Sequence, residues 1–332
     1  MRSIPFYPLL IVLLVGSGSY LGCDPNQLSA PLSVDPAASK TSKPEATNPR
    51  DTIPARTPTN ILIGSFNLQR LGPSKISDSW VTERFADIIR KFDVIALQEI
   101  TSKDQRILPA LISRVNSLGN KYNFTIGPQV GRASSGYFEQ YAFVYDETRI
   151  LSGPGYCYPV LDEKDILHRE PFVGRFQSIS PVGNPFQFTL INMHTDPDEI
   201  NTELDVLADV YRNVRQYEYP NEDDVLLVGD LNAPHDKLRS LNKILDFVPL
   251  IRDLPTNVRK SKMLDNILID RLLTTEFTGR CGTIDLQNMF RIELVDALKI
   301  SDHLPIWAEF SIIEQPRLNV GVAGQNQNPT LR

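Results

Sequence analysis

The sequence predicts an α+β domain in which mixed sheets are flanked by helices. Three observations carry this. A block of about 250 residues, 60–313, lies between two polar segments of quite different composition, as expected of a single domain. Within the block, short apolar or alternating runs recur, and several end in an acid, an amide or a histidine. Two longer stretches have helical spacing and fall among these runs without a regular strand-helix-strand rhythm, which argues against a doubly wound sheet.

In chain order, Arg2 precedes an apolar run from Leu9 to Val15. That run is far shorter than the roughly 20 residues a bilayer span needs, but it suits the core of a signal peptide, here residues 1–22. Gly22-Cys23 resembles the end of a bacterial lipoprotein signal, whose cysteine is lipidated and becomes the mature first residue; the alternative is an ordinary secretory signal in which Cys23 has no special role. Either way the protein is expected to be exported, as an envelope lipoprotein or secreted. Residues 23–59 hold seven prolines and no aromatic residue, so they cannot bury enough apolar area to offset their ordering entropy and read as a tether. The polar stretch 314–332 reads as a loose tail.

Within the block, strand-like runs are Ile61 to Phe66, Val94 to Leu97, Tyr141 to Tyr145, Phe186 to Met193, Val225 to Val228, Leu264 to Ile269 and Ile306 to Ile312. Helical spacing appears in Val81 to Phe92, with Phe85, Ile88 and Ile89 on one face, and in Glu199 to Tyr217, with Leu204, Leu207, Val210 and Tyr211. If the polar strand ends share one rim, they form a site.

Composition bounds the chemistry. The 332 residues are 41% hydrophobic and 22% charged, which excludes a mainly disordered, collagen-like or polytopic membrane chain. A formal charge of -6 gives no global positive field toward polyanions, although a bound metal and a few local arginines can still serve a phosphate. Three cysteines without CxxC spacing and four histidines leave no zinc cluster.

Five strand ends recur in order: Phe66-Asn67-Leu68-Gln69, Leu97-Gln98-Glu99, Asn192-Met193-His194-Thr195, Gly229-Asp230-Leu231-Asn232 and Ser301-Asp302-His303-Leu304-Pro305. Each alone fits a local turn or cap. Together, in this order, they resemble the endonuclease/exonuclease/phosphatase superfamily. Tyr137-Phe138-Glu139-Gln140-Tyr141, Arg169-Glu170-Pro171-Phe172 and Asp265-Asn266-Ile267 extend the resemblance to its deoxyribonuclease I-like branch over roughly residues 60–313. The resemblance implies a four-layered α/β/β/α sandwich of two mixed sheets flanked by helices. It also implies a metal-dependent phosphodiesterase, foremost a DNA endonuclease acting as a monomer.

The residue types permit that chemistry on their own terms. Glu99, Asp302, Asp230 and the amides of Asn67 and Asn232 are hard oxygen donors suited to Mg²⁺, Mn²⁺ or Ca²⁺. By resemblance Glu99 is the principal metal ligand, with Asn67 and Asp302 close by. Water attack on a phosphodiester must also move two protons, and imidazole suits both tasks near neutrality. The resemblance puts His194 and His303 there, with Glu139 and Asp265 fixing their tautomers. Which histidine is acid and which is base stays open, and in relatives Asp230 is assigned the base role.

Arg169 and Tyr137 fall where relatives contact the phosphate backbone, although Arg169 could instead pair with Glu170 or another surface acid. The digestive enzymes carry arginines where this chain has Gln69 and Thr101, so a weaker grip on duplex DNA is expected. His168 and His235 match no motif and are expected at the surface. Cys157 and Cys281 are either a disulfide or free thiols. RNA, a phospholipid such as sphingomyelin, or a small phosphoester are alternative substrates within the superfamily, and a non-catalytic binding protein on the same fold is a third reading. The complete set of acids and histidines gives that last reading no support.

Overall fold

A computed structural model describes residues 53–218 and 222–316. The leader, Cys23 and most of the tether lie outside the described residues. The end of the Pro-rich segment, 53–59, is docked: Arg56 donates to the Phe92 carbonyl, the Tyr122 hydroxyl and Asp146, each at 2.7 Å. The folded unit therefore starts before residue 60.

Two mixed sheets stack face to face. In the first, the strand order is β12(Phe277–Thr283), β13(Ile306–Ser311), β1(Asn60–Leu71), β2(Val94–Ile100), β4(Gln140–Asp146), β3(Tyr122–Ile126). The second runs β10(Phe247–Pro249), β11(Asp265–Asp270), β9(Val225–Asp230), β8(Gln187–His194), β7(Phe172–Ser178), β5(Ile150–Leu151), with β6(Cys157–Pro159) also on β7. Between them lies an apolar core that includes Ile61, Ile63, Phe143, Phe176, Phe188, Leu226, Ile267 and Phe310. A second core joins the outer face of the first sheet to helices α2(Ser79–Ile89), α3(Ile107–Asn116) and α6(Leu294–Ile300). A third lies under α4(Ile200–Glu218) on the second sheet. The short helices α1(Pro73–Ser77) and α5(Leu286–Phe290) complete the first helical layer. This is the expected α/β/β/α sandwich.

The helices form where the sequence is amphipathic and capped. Asp78 accepts from the backbone N–H groups of Trp80 and Val81 to start α2, whose Phe85, Ile88 and Ile89 are all buried. Along α4, Leu204, Leu207, Val210 and Tyr211 are buried.

Strand direction places the polar ends. Each sheet contains one parallel pair, β1 with β2 and β8 with β9, whose C-terminal ends carry Asn67, Glu99, His194 and Asp230. The neighbours β4, β7, β11 and β13 run antiparallel, so their N-terminal ends reach the same rim and bring Glu139, Arg169, Asp265 and His303 with them. Gly229 is required beneath Asp230: its φ is +142°, and a Cβ there would stand 1.8 Å from the Met193 carbonyl oxygen on β8. Beneath the rim, Gln98 donates to Ser65 Oγ at 2.9 Å and across to Asn192 Oδ1 at 2.7 Å, joining the two sheets.

Candidate active site

At this rim the two histidines occupy matched settings. His194 Nδ1 lies 3.1 Å from both carboxylate oxygens of Glu139, and His303 Nδ1 lies 2.9 Å from Asp265 Oδ2. Each carboxylate accepts the Nδ1 proton, which leaves Nε2 facing inward. The two Nε2 atoms converge on one atom, Asp230 Oδ2, at 3.5 Å from His194 and 3.4 Å from His303. All five residues are buried.

Charge follows from this geometry. Burial opposes an imidazolium at His194, but Glu139 and Asp230 outweigh it and raise the pKa to about 9. At His303 burial is likewise outweighed by Asp265 and Asp230, which raise the value to about 10. Burial would raise Asp230, yet the two imidazoliums hold it below its ordinary value. The paired carboxylates and Asp230 thus favour the protonated form of both rings, and the rings favour the ionised form of Asp230.

Glu99 stands beside this trio in a left-handed backbone conformation, φ 60°. Its Oε1 accepts from Asn67 Nδ2 at 2.9 Å and its Oε2 from the Arg70 N–H at 2.9 Å. The same Asn67 Nδ2 donates to Asp230 Oδ2 at 3.1 Å, while Asn67 Oδ1 accepts from the Gln69 N–H. In this arrangement Asn67 braces both carboxylates. Asp302 is exposed, next to His303. Glu99 and Asp302 both act on the Lys75 ammonium, whose pKa burial lowers to about 8 while the two acids oppose the fall. Lys75 Nζ donates to the carbonyls of Leu68, Gln69 and Ile300, tying the end of β1 to the end of α6. Glu99 and Asp302, both close enough to act on the Lys75 ammonium, offer carboxylate oxygens of the kind that suits a hard divalent cation. Asn232, also at positive φ, donates its N–H to Asp230 Oδ1 and its Nδ2 to the Thr195 carbonyl.

A cleft of about 390 Å³ opens above these groups, and its walls include Arg70, Tyr137, His168, Arg169 and Asp196. Arg169 is buried and makes no pair with Glu170: its Nε donates to the His194 carbonyl at 3.0 Å, and its Nη2, which has no hydrogen bond, lies 3.6 Å from Asp196. The Tyr137 hydroxyl donates to Glu139 at 3.0 Å, and the guanidiniums of Arg169 and Arg70 lie 5.7 and 5.6 Å from its ring centroid.

Two expectations need correction, and one left open is resolved. His168 is not a surface residue: it is 9% exposed, its N–H donates to Glu203 and its ring stands between Asp196 and Ser135. His235 is half-buried rather than exposed. Cys157 and Cys281, for which a disulfide and separate thiols both stood open, form no disulfide: the first is buried and the second donates to the Leu250 carbonyl. Sequence reasoning also missed Arg70. Its neighbour Gln69 replaces an arginine of the digestive enzymes, but the consecutive left-handed residues Gln69 and Arg70 turn the Arg70 side chain toward the cleft.

Comparison with known proteins agrees with this geometry. Residues 64–303 match the model of the endonuclease/exonuclease/phosphatase family. Rat deoxyribonuclease gamma is 31% identical over 259 residues, covering 73% of this chain and 82% of the relative. Pig deoxyribonuclease-1-like 1 is 32% identical over 263 residues, covering 75% and 80%. Among solved structures, an endonuclease/exonuclease/phosphatase from Bacteroides vulgatus superposes with a TM-score of 0.53 at 13% identity, over 76% of this chain and 99% of that one, a likeness of fold. On the family match and these identities, the chain belongs to the endonuclease/exonuclease/phosphatase superfamily, in its deoxyribonuclease I-like branch.

Proposed function

We propose that this chain is an exported endonuclease that hydrolyses DNA phosphodiester bonds with Mg²⁺ as its resident ion. The observation that carries the reading is the convergence of two carboxylate-locked imidazoles on a single oxygen of Asp230. Asp230, whose Oδ2 faces both Nε2 atoms, is the carboxylate placed to take a proton from the attacking water. One imidazolium then delivers a proton from Nε2 to the leaving oxygen, and the other holds a non-bridging oxygen of the phosphate. Glu99, with Asp302 beside it, would hold the cation, which when bound polarises a non-bridging oxygen and offsets the charge that develops at phosphorus. DNA as the substrate is supported by the relatives' names and by the Arg70, Tyr137 and Arg169 wall.

The test is a panel of supercoiled plasmid, single-stranded DNA, RNA, sphingomyelin and inositol phosphates, each with Mg²⁺ and with excess chelator. Plasmid is nicked only with Mg²⁺; a preference for sphingomyelin or an inositol phosphate sinks the substrate assignment. In the same assay Glu99→Gln raises the Mg²⁺ concentration needed for half-maximal rate by roughly tenfold or more, and activity partly recovers at high Mg²⁺.

Arg70 and Arg169 differ in what their loss does. Arg70 is exposed and meets the substrate only as a charge, so Arg70→Ala raises KM more than it lowers kcat. It also flattens the salt dependence of duplex binding by about 0.9 in log-log slope, one phosphate's share. Wild type already has a shallow slope, because few phosphates are neutralised. Arg169→Ala lowers kcat as well, since its Nε holds the carbonyl of His194.

The leader and Cys23 support attachment to a bacterial envelope membrane through a lipid on Cys23, with the Pro-rich segment as spacer. Mass spectrometry of the native N-terminus should find Cys23 first and lipid-modified. Cleavage elsewhere without an adduct rules the anchor out.

A further inference from the structure

The rim opposite the cleft carries a second group of acids, three of them buried. Glu222 and Asp224 lead into β9, Glu276 precedes β12, and Glu314 follows β13. Asp224 thus belongs to one sheet and Glu276 and Glu314 to the other. An oxygen of Asp224 lies within 4.8 Å of one from Glu276 and one from Glu314, and a second such group joins Asp224 to Glu222 and Asp223. Asp224 and Asp230 stand at opposite ends of β9, about 20 Å apart at the usual strand rise.

Two observations separate this group from an ordinary acidic patch. Glu222, Asp224 and Glu276 are 4, 2 and 2% exposed, and each keeps one carboxylate oxygen buried without a hydrogen-bond partner: Glu222 Oε2, Asp224 Oδ1 and Glu276 Oε2. Leaving such oxygens unpartnered is costly, and native interiors rarely do so. The same rim also shows the ordinary solution. Asp93 is fully buried, and Arg149 and Arg56 approach its Oδ1 at 2.5 and 3.5 Å. Among the described residues no lysine or arginine is salt-bridged to Glu222, Asp224 or Glu276; their largest electrostatic neighbours are other acids and the Thr274 hydroxyl, and Glu276 shares a hydrogen bond with Glu314. Burial and these neighbours lift Asp224 to about 9 and Glu222 and Glu276 to about 7, the direction expected where a positive partner is missing.

We propose that Glu222, Asp224, Glu276 and Glu314 form a Ca²⁺ site that clips the two sheets together at the rim opposite the cleft. Several carboxylates converging from loops of both sheets suit the flexible six- to eight-fold oxygen coordination of Ca²⁺, whereas Mg²⁺ demands a regular octahedron and keeps its waters. The site is separate from Glu99 and makes no contribution to the chemistry.

The test is the melting temperature of the full chain in chelator, Ca²⁺ or Mg²⁺, for wild type, Glu99→Gln, Glu276→Gln and the double variant Asp224→Asn/Glu276→Gln. At a hundredfold excess over Kd, Ca²⁺ raises the wild-type midpoint by roughly 5 to 10 °C. Glu99→Gln keeps that rise and the double variant loses it. The single variant Glu276→Gln needs about tenfold more Ca²⁺, which keeps the test open if the double variant folds poorly. The proposal is overturned if Ca²⁺ does not move the wild-type midpoint, if the double variant responds as wild type does, or if Glu99→Gln abolishes the rise. An equal rise with Mg²⁺ overturns the choice of ion.

Discussion

Asp230→Asn lowers the rate of plasmid nicking by about 10² to 10⁴, the range for loss of a general base. The substitution is isosteric. The amide oxygen of the variant can still accept from the Asn232 N–H, which in wild type donates to Asp230 Oδ1 at 3.0 Å, while the amide nitrogen gives up the bond that Oδ2 accepts from Asn67. What is lost is the one anion that both Nε2 atoms face. The pH profile identifies the role. In wild type the two imidazoliums outweigh burial and keep Asp230 ionised below the ordinary carboxylate range, so the acid limb lies low. The alkaline limb follows the imidazoliums, at about 9 and 10. Removing the central charge lowers both histidine pKa values, so in Asp230→Asn the alkaline limb moves toward neutrality. Stability moves the same way. A histidine raised above its ordinary value of about 6.5 contributes fully below that pH, and the contribution is lost as pH rises through the folded value. The variant therefore has a smaller loss of stability between pH 7 and 10 than wild type. A variant with wild-type kcat and an unmoved alkaline limb would show that Asp230 is a spectator.

Much of this site was legible because the fold uses strands that finish in polar residues. Asn67, Glu99, His194 and Asp230 each follow an apolar run that becomes a buried central strand, and parallel pairing puts their ends on one rim. What was less legible has physical causes. Strand β7 is interrupted by Gly174 and Arg175, and β12 is a mostly exposed edge strand, so neither shows a clean alternation. Helix α3 buries Ile107, Leu108, Leu111, Ile112 and Val115, but Pro109 in its first turn reads as a breaker when it is only a tolerated start. His168 gave no local sign, because Glu203, Asp196 and Ser135 reach it from elsewhere in the chain. The pairings of His194 with Glu139 and His303 with Asp265 span 55 and 38 residues, and no periodicity can report contacts at that range; the family resemblance supplied them. Arg70 depends on two consecutive left-handed residues, a conformation that neither Gln69 nor Arg70 favours intrinsically.

Removing the histidines one at a time and together is the sharper test of the site as a unit. His194→Ala and His303→Ala each lower the rate by about 10² to 10⁴. The double variant falls far short of the product, because both imidazoles act on one carboxylate and the first loss already disturbs it. The single variants are not equivalent in stability. His303→Ala strips Asp265 Oδ2 of its imidazole donor, and Asp265 Oδ1 already lacks a hydrogen bond. His194→Ala leaves the fully buried Glu139 with the Tyr137 hydroxyl still donating to it. A lone buried carboxylate is costly, so His303→Ala is the less stable of the two by about 1 to 3 kcal/mol. Urea midpoints measured beside the rates separate this cost from catalysis, and His303→Asn offers a smaller polar replacement if the alanine variant unfolds. Multiplicative losses in the double variant would mean two independent contributions, and full activity in either single variant would remove that histidine from the mechanism. A double-variant rate close to the worse single, with the fold intact, is what two imidazoles converging on one oxygen of Asp230 require.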